Sequence, residues 1–243
     1  MNVPNQTVGN KLLSSLPVDD GRRIAPQLAP VTLGFKKVLY KQGAPIDYVY
    51  FPGGGALSLT RTMEDGGTAE VATIGSEGLL GASVFFGDSQ SPTQAVVHIP
   101  GNHDAYRMPI SAFMREMELH GAFYNRVIRY HQALSLQIQQ TTACNALHRC
   151  EQRCCRWLLM TRDHADSDDL KMTHELLARM LGVRRPTVTL VLGSLTRMGL
   201  IAREHQKGMI RILDRDGLQE ASCECYATVK ATFERLIPEV PAA

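Results

Sequence analysis

The sequence predicts an α+β chain: an antiparallel β half, then a long helix, then a compact helical segment closed by a short hairpin. Three observations predict it. Short apolar runs punctuated by Gly and Pro fill residues 31–108, and beyond Pro109 apolar residues recur at helical spacing instead. Near Gly182 two short helical patterns meet, followed by two short strand-like runs.

The 243 residues are 44% apolar and 21% charged, enough for two domains that each bury a core. No run approaches the ~18 consecutive apolar residues of a membrane span. The first two dozen residues hold neither a continuous apolar core nor a small-residue cleavage site, so a cytoplasmic location is expected. The net charge of +2 is unevenly divided: residues 146–215 hold 13 Lys+Arg against 8 Asp+Glu, the remainder 13 against 16. A basic segment joined to an acidic one points the second half at a polyanion.

In the β half the candidate strands are Lys37-Val-Leu-Tyr, Tyr48-Val-Tyr-Phe, Ala56-Leu-Ser-Leu-Thr, Glu70-Val-Ala-Thr-Ile and Ala95-Val-Val-His-Ile. Turn signals such as Pro52-Gly-Gly-Gly and Asp65-Gly-Gly separate them, the spacing of an antiparallel sandwich or barrel. Ser111 is placed to cap a short helix that Gly121 interrupts. From Phe123 onward Val127, His131, Leu134, Ile138 and Thr141 alternate in steps of four and three, one stripe of a long helix. Such a stripe is the seam of a homodimer; the alternative is packing on the chain's own β half. A further helix is expected over about Asn145 to His164, an acidic surface loop over Asp163 to Asp169, and a final helix over about Asp216 to Leu236.

The stretch with most information is Thr173-His-Glu-Leu-Leu-Ala-Arg-Met-Leu-Gly-Val-Arg-Arg-Pro-Thr-Val-Thr-Leu. Thr173 caps a helix with an apolar face, Gly182 ends it, and Pro186 opens the next, where its missing N–H costs nothing. Two short helices about a glycine turn form a helix-turn-helix, whose second helix enters the DNA major groove. The residues off its apolar stripe are Arg184, Arg185, Pro186, Thr187, Thr189 and Leu190. Arg185 is the candidate for paired hydrogen bonds to guanine, while Arg184, Thr187 and the first-turn amides suit phosphate. Gly199 to Leu213 reads as two strands turning at Gln206-Lys-Gly, a wing whose Arg203, His205, Lys207 and Arg211 can reach flanking phosphates.

With these residues in view the chain resembles the Crp/Fnr family of transcription regulators, from about Val31 to Leu213. The resemblance rests on Leu176-Leu-Ala-Arg-Met-Leu-Gly-Val-Arg-Arg-Pro-Thr-Val, and on Val38-Leu-Tyr-Lys-Gln-Gly-Ala-Pro with Tyr48-Val-Tyr-Phe. It implies a jelly-roll domain of the cyclic-nucleotide-binding type, a dimerisation helix and a winged helix-turn-helix. The expected boundaries are an N-terminal segment over 1–25, the roll over 26–110, linker and dimer helix over 111–145, the DNA-binding domain over 146–215 and a C-terminal helix and tail over 216–243. It implies duplex DNA, a second copy of the chain and RNA polymerase as partners, and no membrane.

The resemblance fails at particular residues. Cyclic-nucleotide-binding members carry a Glu for the ribose and an Arg for the phosphate; here Leu79 takes the Glu position, and Ser91-Pro-Thr-Gln-Ala has no Arg. A phosphodiester held without a cation in an apolar roll would cost several kcal/mol, so cyclic AMP is not the expected effector, and the effector stays unknown. The first cysteine is Cys144, too late for the N-terminal iron-sulfur ligands of oxygen-sensing members; a haem-sensing version is conceivable through His98 and His103, yet lone histidines are far more often solvent-facing or hydrogen-bonded. The base-reading Glu and second Arg of the best-known members become Pro186 and Leu190, so their target sequence does not transfer.

The six cysteines, Cys144, Cys150, Cys154, Cys155, Cys223 and Cys225, are expected as reduced thiols. Cys150 and Cys154 share a helix face with Trp157 and Leu158, a core pattern, and Cys223 and Cys225 on one helix would point about 200° apart, so neither a metal nor a cofactor is expected. Two histidines one residue apart, a nucleophile elbow and a Walker loop are absent, which argues against an enzyme. The alternative function is a ligand- or redox-sensing module acting through a protein partner.

Overall fold

The computed structural model describes residues 9–103, 105–204 and 208–238. Seven strands build the first half: β1 (Ala29–Val31), β2 (Val38–Tyr40), β3 (Tyr48–Phe51), β4 (Ala56–Thr62), β5 (Thr68–Ile74), β6 (Gln94–Ile99) and β7 (Ala105–Pro109). They form two antiparallel sheets, ordered β1-β7-β3 and β2-β6-β4-β5. Strand β3 alternates its burial, as a strand with one face on a core must, and contributes the fully buried Val49 and Phe51. The triple-glycine turn is required by close approach: a Cβ on Gly55 (φ +71°) would lie 2.1 Å from the carbonyl oxygen of Ile99.

The short helices α1 (Lys11–Ser14) and α2 (Val18–Ile24) bury Leu12, Leu13 and Ile24 against the same core. Helix α3 (Ile110–Glu118) starts behind Pro109, so Ser111 lies inside the helix and is not its cap. Helix α4 (Ala122–Leu147) runs 26 residues and lays Phe123, Val127, Tyr130 and Leu134 into the roll's core. Gly78 makes room for it, since a Cβ there would sit 2.0 Å from the Tyr130 ring.

This packing corrects the expected dimer stripe. Val127, Leu134 and Thr141 are 1%, 9% and 7% exposed, turned into the chain's own body, and only His131 and Ile138 of that stripe reach the open side. The more open stripe is offset around the helix: Tyr124, Ile128, His131, Ser135, Ile138, Thr142 and Asn145, also in alternating steps of four and three, with none fully buried although Tyr124 and Ile128 pack partly on the roll's core.

The second half starts with α5 (Cys150–Ala165), so the break from α4 falls at His148-Arg149 rather than near Asn145. Next come β8 (Asp169–Lys171), α6 (His174–Leu181), α7 (Arg185–Arg197), β9 (Ile201–Glu204) and β10 (Met209–Ile212). The expected acidic loop ends in β8, which makes the wing a three-stranded sheet ordered β8-β10-β9. Trp157, Leu158, Leu177, Val188, Leu192, Leu195 and Ile210 are among the buried residues of a second core. Of the two cysteines in the core pattern, Cys154 is buried in it and Cys150 packs half-buried against it; Cys155 is buried there as well.

The expected last helix is two: α8 (Arg215–Glu220) and α9 (Cys225–Leu236), which packs along α4. Cys223 therefore lies in the turn before α9, and the 200° separation from Cys225 does not apply. The ground for expecting no metal here, that Cys223 and Cys225 diverge, therefore does not hold, and the ligand atoms of Cys144, His148, Cys223 and Cys225 lie within 4.8 Å of one another.

Candidate nucleic-acid interface

The Thr173 hydroxyl accepts the Leu176 N–H at 3.2 Å and so caps α6. Gly182 closes the helix at φ +62° and its N–H returns to Ala178 and Arg179 carbonyls, the left-handed ending that glycine permits. Helix α7 then starts at Arg185 with Pro186 in its first turn. Val188, Leu192 and Leu195 are fully buried and pin α7 to α5 and α6, which fixes the direction of its opposite face.

That face is open. Arg184, Arg185, Pro186, Thr189 and Leu190 are exposed, Leu190 at 75%, and Thr187 is half-buried. The N-terminal end of the α7 dipole and the two guanidinium groups give this tip a positive potential. The Thr189 hydroxyl donates to the Arg185 carbonyl (3.2 Å) and lies 3.0 Å from Nδ1 of His174, so it is engaged within the motif. In the wing Arg203 is half-buried with its Nε unpartnered among the described residues, while Arg211 makes a bidentate pair with Asp169 at 2.5 and 2.9 Å. Arg211 is thus tied to β8. His205 and Lys207 lie outside the described residues.

Helix α6 rests on β5 of the roll, and two polar contacts fix the junction. The Ser58 hydroxyl oxygen lies 3.3 Å from the Met180 sulfur. Nε1–H of Trp157 donates to the Glu70 carboxylate at 2.6 Å, and that carboxylate also accepts from Thr73 at 3.0 Å and from Ser58. Burial raises the Glu70 pKa, and the three donors offset part of the cost. On β6, His98 is pushed down to about 4 by burial and by the charge of Arg179 on α6. No local signal announces this junction, because Glu70 and Trp157 stand 87 positions apart.

Leu79 is 1% exposed and packs in the roll's core with Leu57 and Ile74. Beside it Glu77 pairs with His164 of α5 at 3.5 Å. Burial opposes both charges, but the pairing prevails, lowering Glu77 and raising His164. A cavity of about 750 Å³ opens here, outside the roll, between α1, α5 and α9, with Glu77, Arg162, His164, Tyr226, Lys230 and Phe233 among its lining.

An antiparallel roll, a long helix and a winged helix-turn-helix with an open basic tip define a DNA-binding regulator with an attached sensor-type domain. Residues 32–120 match the model of the cyclic nucleotide-binding domain and residues 152–221 that of the Crp-like helix-turn-helix domain. The chain belongs to the Crp/Fnr family of transcription regulators.

Solved structures share the fold at low identity. A putative Crp/Fnr-family regulator from Eubacterium rectale is 16% identical, with a TM-score of 0.67 over 86% of this chain and 96% of its own. A CRP/FNR-family regulator from Thermus thermophilus is 23% identical, with a TM-score of 0.65 over 80% and 98%. A c-di-GMP-responsive global regulator from Xanthomonas campestris is 13% identical, with a TM-score of 0.65 over 81% and 99%. No curated protein sequence matches the chain. Among the described residues no helix is long and apolar enough to cross a membrane.

Proposed function

We propose that this regulator binds an inverted-repeat duplex as a homodimer, reading bases with the tip of α7, and that cyclic AMP is not its effector. The observation that carries the reading is the exposure of Arg184 and Arg185 at the N-terminus of a helix whose other face is fully buried. Such a helix can enter the major groove without rearranging its own domain. Arg185 is assigned to guanine, and Arg184, Thr187 and Thr173 to phosphate and register; Thr189 contributes its methyl group, Pro186 and Leu190 apolar contact, and Arg203 and Lys207 the flanking backbone.

The dimer is assigned to the more open stripe of α4, with Phe86 alongside. Phe86 is 57% exposed and stacks on His131 at 4.3 Å, so an aromatic pair borders Ile128 and Ile138. Two recognition helices held by such a seam would meet major grooves about 34 Å apart. Against cyclic AMP stands Leu79, an apolar core side chain where a ribose-binding carboxylate is needed.

Gel shifts of the full chain on genomic fragments at two salt concentrations test the reading. Discrete complexes that survive the higher salt support it, and smears that vanish with salt on every fragment contradict it. Calorimetric titration with cyclic AMP should show no heat of binding; micromolar binding would overturn that part.

A further inference from the structure

The α4–α5 hinge and the α8–α9 turn bring together four side chains that DNA recognition does not use. Cys144 lies on α4, His148 just after it, Cys223 in the turn and Cys225 at the start of α9, and their ligand atoms all lie within 4.8 Å of one another. Sγ of Cys144 and Sγ of Cys223 are 3.5 Å apart, as are Sγ of Cys225 and Nδ1 of His148. Tetrahedral zinc, with bonds of about 2.3 Å to sulfur and 2.0–2.1 Å to nitrogen, sets these separations at about 3.8 and 3.6 Å. Contracting the longest separation by about 1 Å would close the shell around one ion. The three thiols are buried, and they form a small cluster of their own rather than part of either large core.

We propose that Cys144, His148, Cys223 and Cys225 form a Cys3His site for one zinc ion, which staples the α8–α9 turn to the hinge between the long helix and the DNA-binding domain.

Three features around the cluster are those of a metal site. Nε2 of His148 faces the Glu224 carboxylate at 3.2 Å, which orients the ring so that Nδ1 points at the thiols, the usual carboxylate–histidine–metal arrangement. Gln140 donates to Sγ of Cys225 at 3.0 Å, a bond that favours the thiolate. Arg156 is buried and donates to the Thr141 hydroxyl at 3.2 Å, and among the described residues its Nε is unpartnered. A zinc ion with three thiolates and a neutral imidazole would carry a single negative charge, which Arg156, whose charge also acts on the buried Glu70 carboxylate, would help to balance. Zinc fits this donor set because thiolate and imidazole ligands in closed four-coordination are those of its structural sites. Binding releases the remaining thiol protons to solvent and changes no oxidation state.

The test uses the full chain, reduced and stripped with chelator, then titrated with Co2+. Thiolate-to-cobalt charge transfer and tetrahedral visible bands should saturate at about one Co2+ per chain and be displaced by Zn2+. Cys144→Ser or Cys225→Ser should remove a sulfur ligand from the spectrum, while Cys150→Ser leaves it unchanged. Glu224 is exposed, so Glu224→Gln should fold normally and weaken metal affinity about 10- to 100-fold. A folded wild-type chain that gives no thiolate–cobalt absorption overturns the proposal, and so does a spectrum indifferent to Cys225→Ser. Thiol titration covers the alternative: two additional thiols appearing only after reduction, in a chain that then ignores cobalt, would identify a Cys144–Cys223 disulfide pair instead.

Discussion

Replacing Ile138 by Asp should separate the two subunits while leaving each one folded. Ile138 is 36% exposed and lies on the more open stripe of α4, so its own subunit already covers most of it. Docking a second α4 would remove only that remaining third, worth about 0.5 to 1 kcal/mol per chain at 1.5–3 kcal/mol for a whole isoleucine. Truncation to Ala is therefore a weak perturbation. An Asp at the seam appears twice across the two-fold axis, and each carboxylate is desolvated beside its like, a penalty of several kcal/mol. Taking about 4 kcal/mol in total, the dimer dissociation constant should rise about 10³-fold. Leu134→Ala is the contrast, because Leu134 is 9% exposed and lies in the roll's core. It should cost about 2 to 5 kcal/mol of folding stability and leave dimer affinity nearly unchanged. Sedimentation equilibrium and chemical denaturation of both variants decide the matter. If Ile138→Asp sediments as the wild type, or if Leu134→Ala is the variant that dissociates, the assignment of the two faces of α4 is wrong.

Three further predictions concern the junction and the wing. His98 is held near 4 against an ordinary 6.5, so the unfolded chain takes up a proton that the folded chain refuses; stability is full above pH 6.5 and falls by about 3 kcal/mol as pH drops towards 4. His98→Asn should flatten that acid limb in melts recorded by circular dichroism. Trp157→Phe removes one of the three donors to the buried Glu70 carboxylate and should cost about 1.5 to 3 kcal/mol in urea denaturation; an unchanged midpoint would remove that contact from the junction. Asp169→Asn releases Arg211 from its bidentate partner. It should tighten non-specific DNA binding and steepen its log–log salt dependence by about one unit, which fluorescence anisotropy on random duplex reads directly.

What was legible in the sequence follows from how local each signal is. The five strand runs of the β half, the Thr173 cap, the Gly182 turn and the Pro186 start each need only a few neighbouring residues, and each appears where the chain places it. The stripe on α4 was harder, because two interleaved rows share the same steps of four and three and His131 and Ile138 fit both. Only the roll and α9, packed on the other sides, decide which row stays open. β8 escaped because a three-residue strand in an acidic stretch gains its hydrogen bonds from β10, 40 residues on. The cysteine cluster escaped for the same reason: Cys144 and Cys223 are 79 positions apart, and a helix break at residues 221–224 aims Cys223 at Cys144.

The most direct measurement takes duplexes selected from a random pool by the wild-type chain and titrates Arg185→Ala against every single-base variant of the site. The selected sites should be inverted repeats, and the variant should lose about 1 to 3 kcal/mol at one symmetric guanine position of each half-site while discrimination elsewhere is retained. Equal weakening at every position would move Arg185 to the phosphate backbone. Selection that yields no repeat at all would contradict sequence reading by α7.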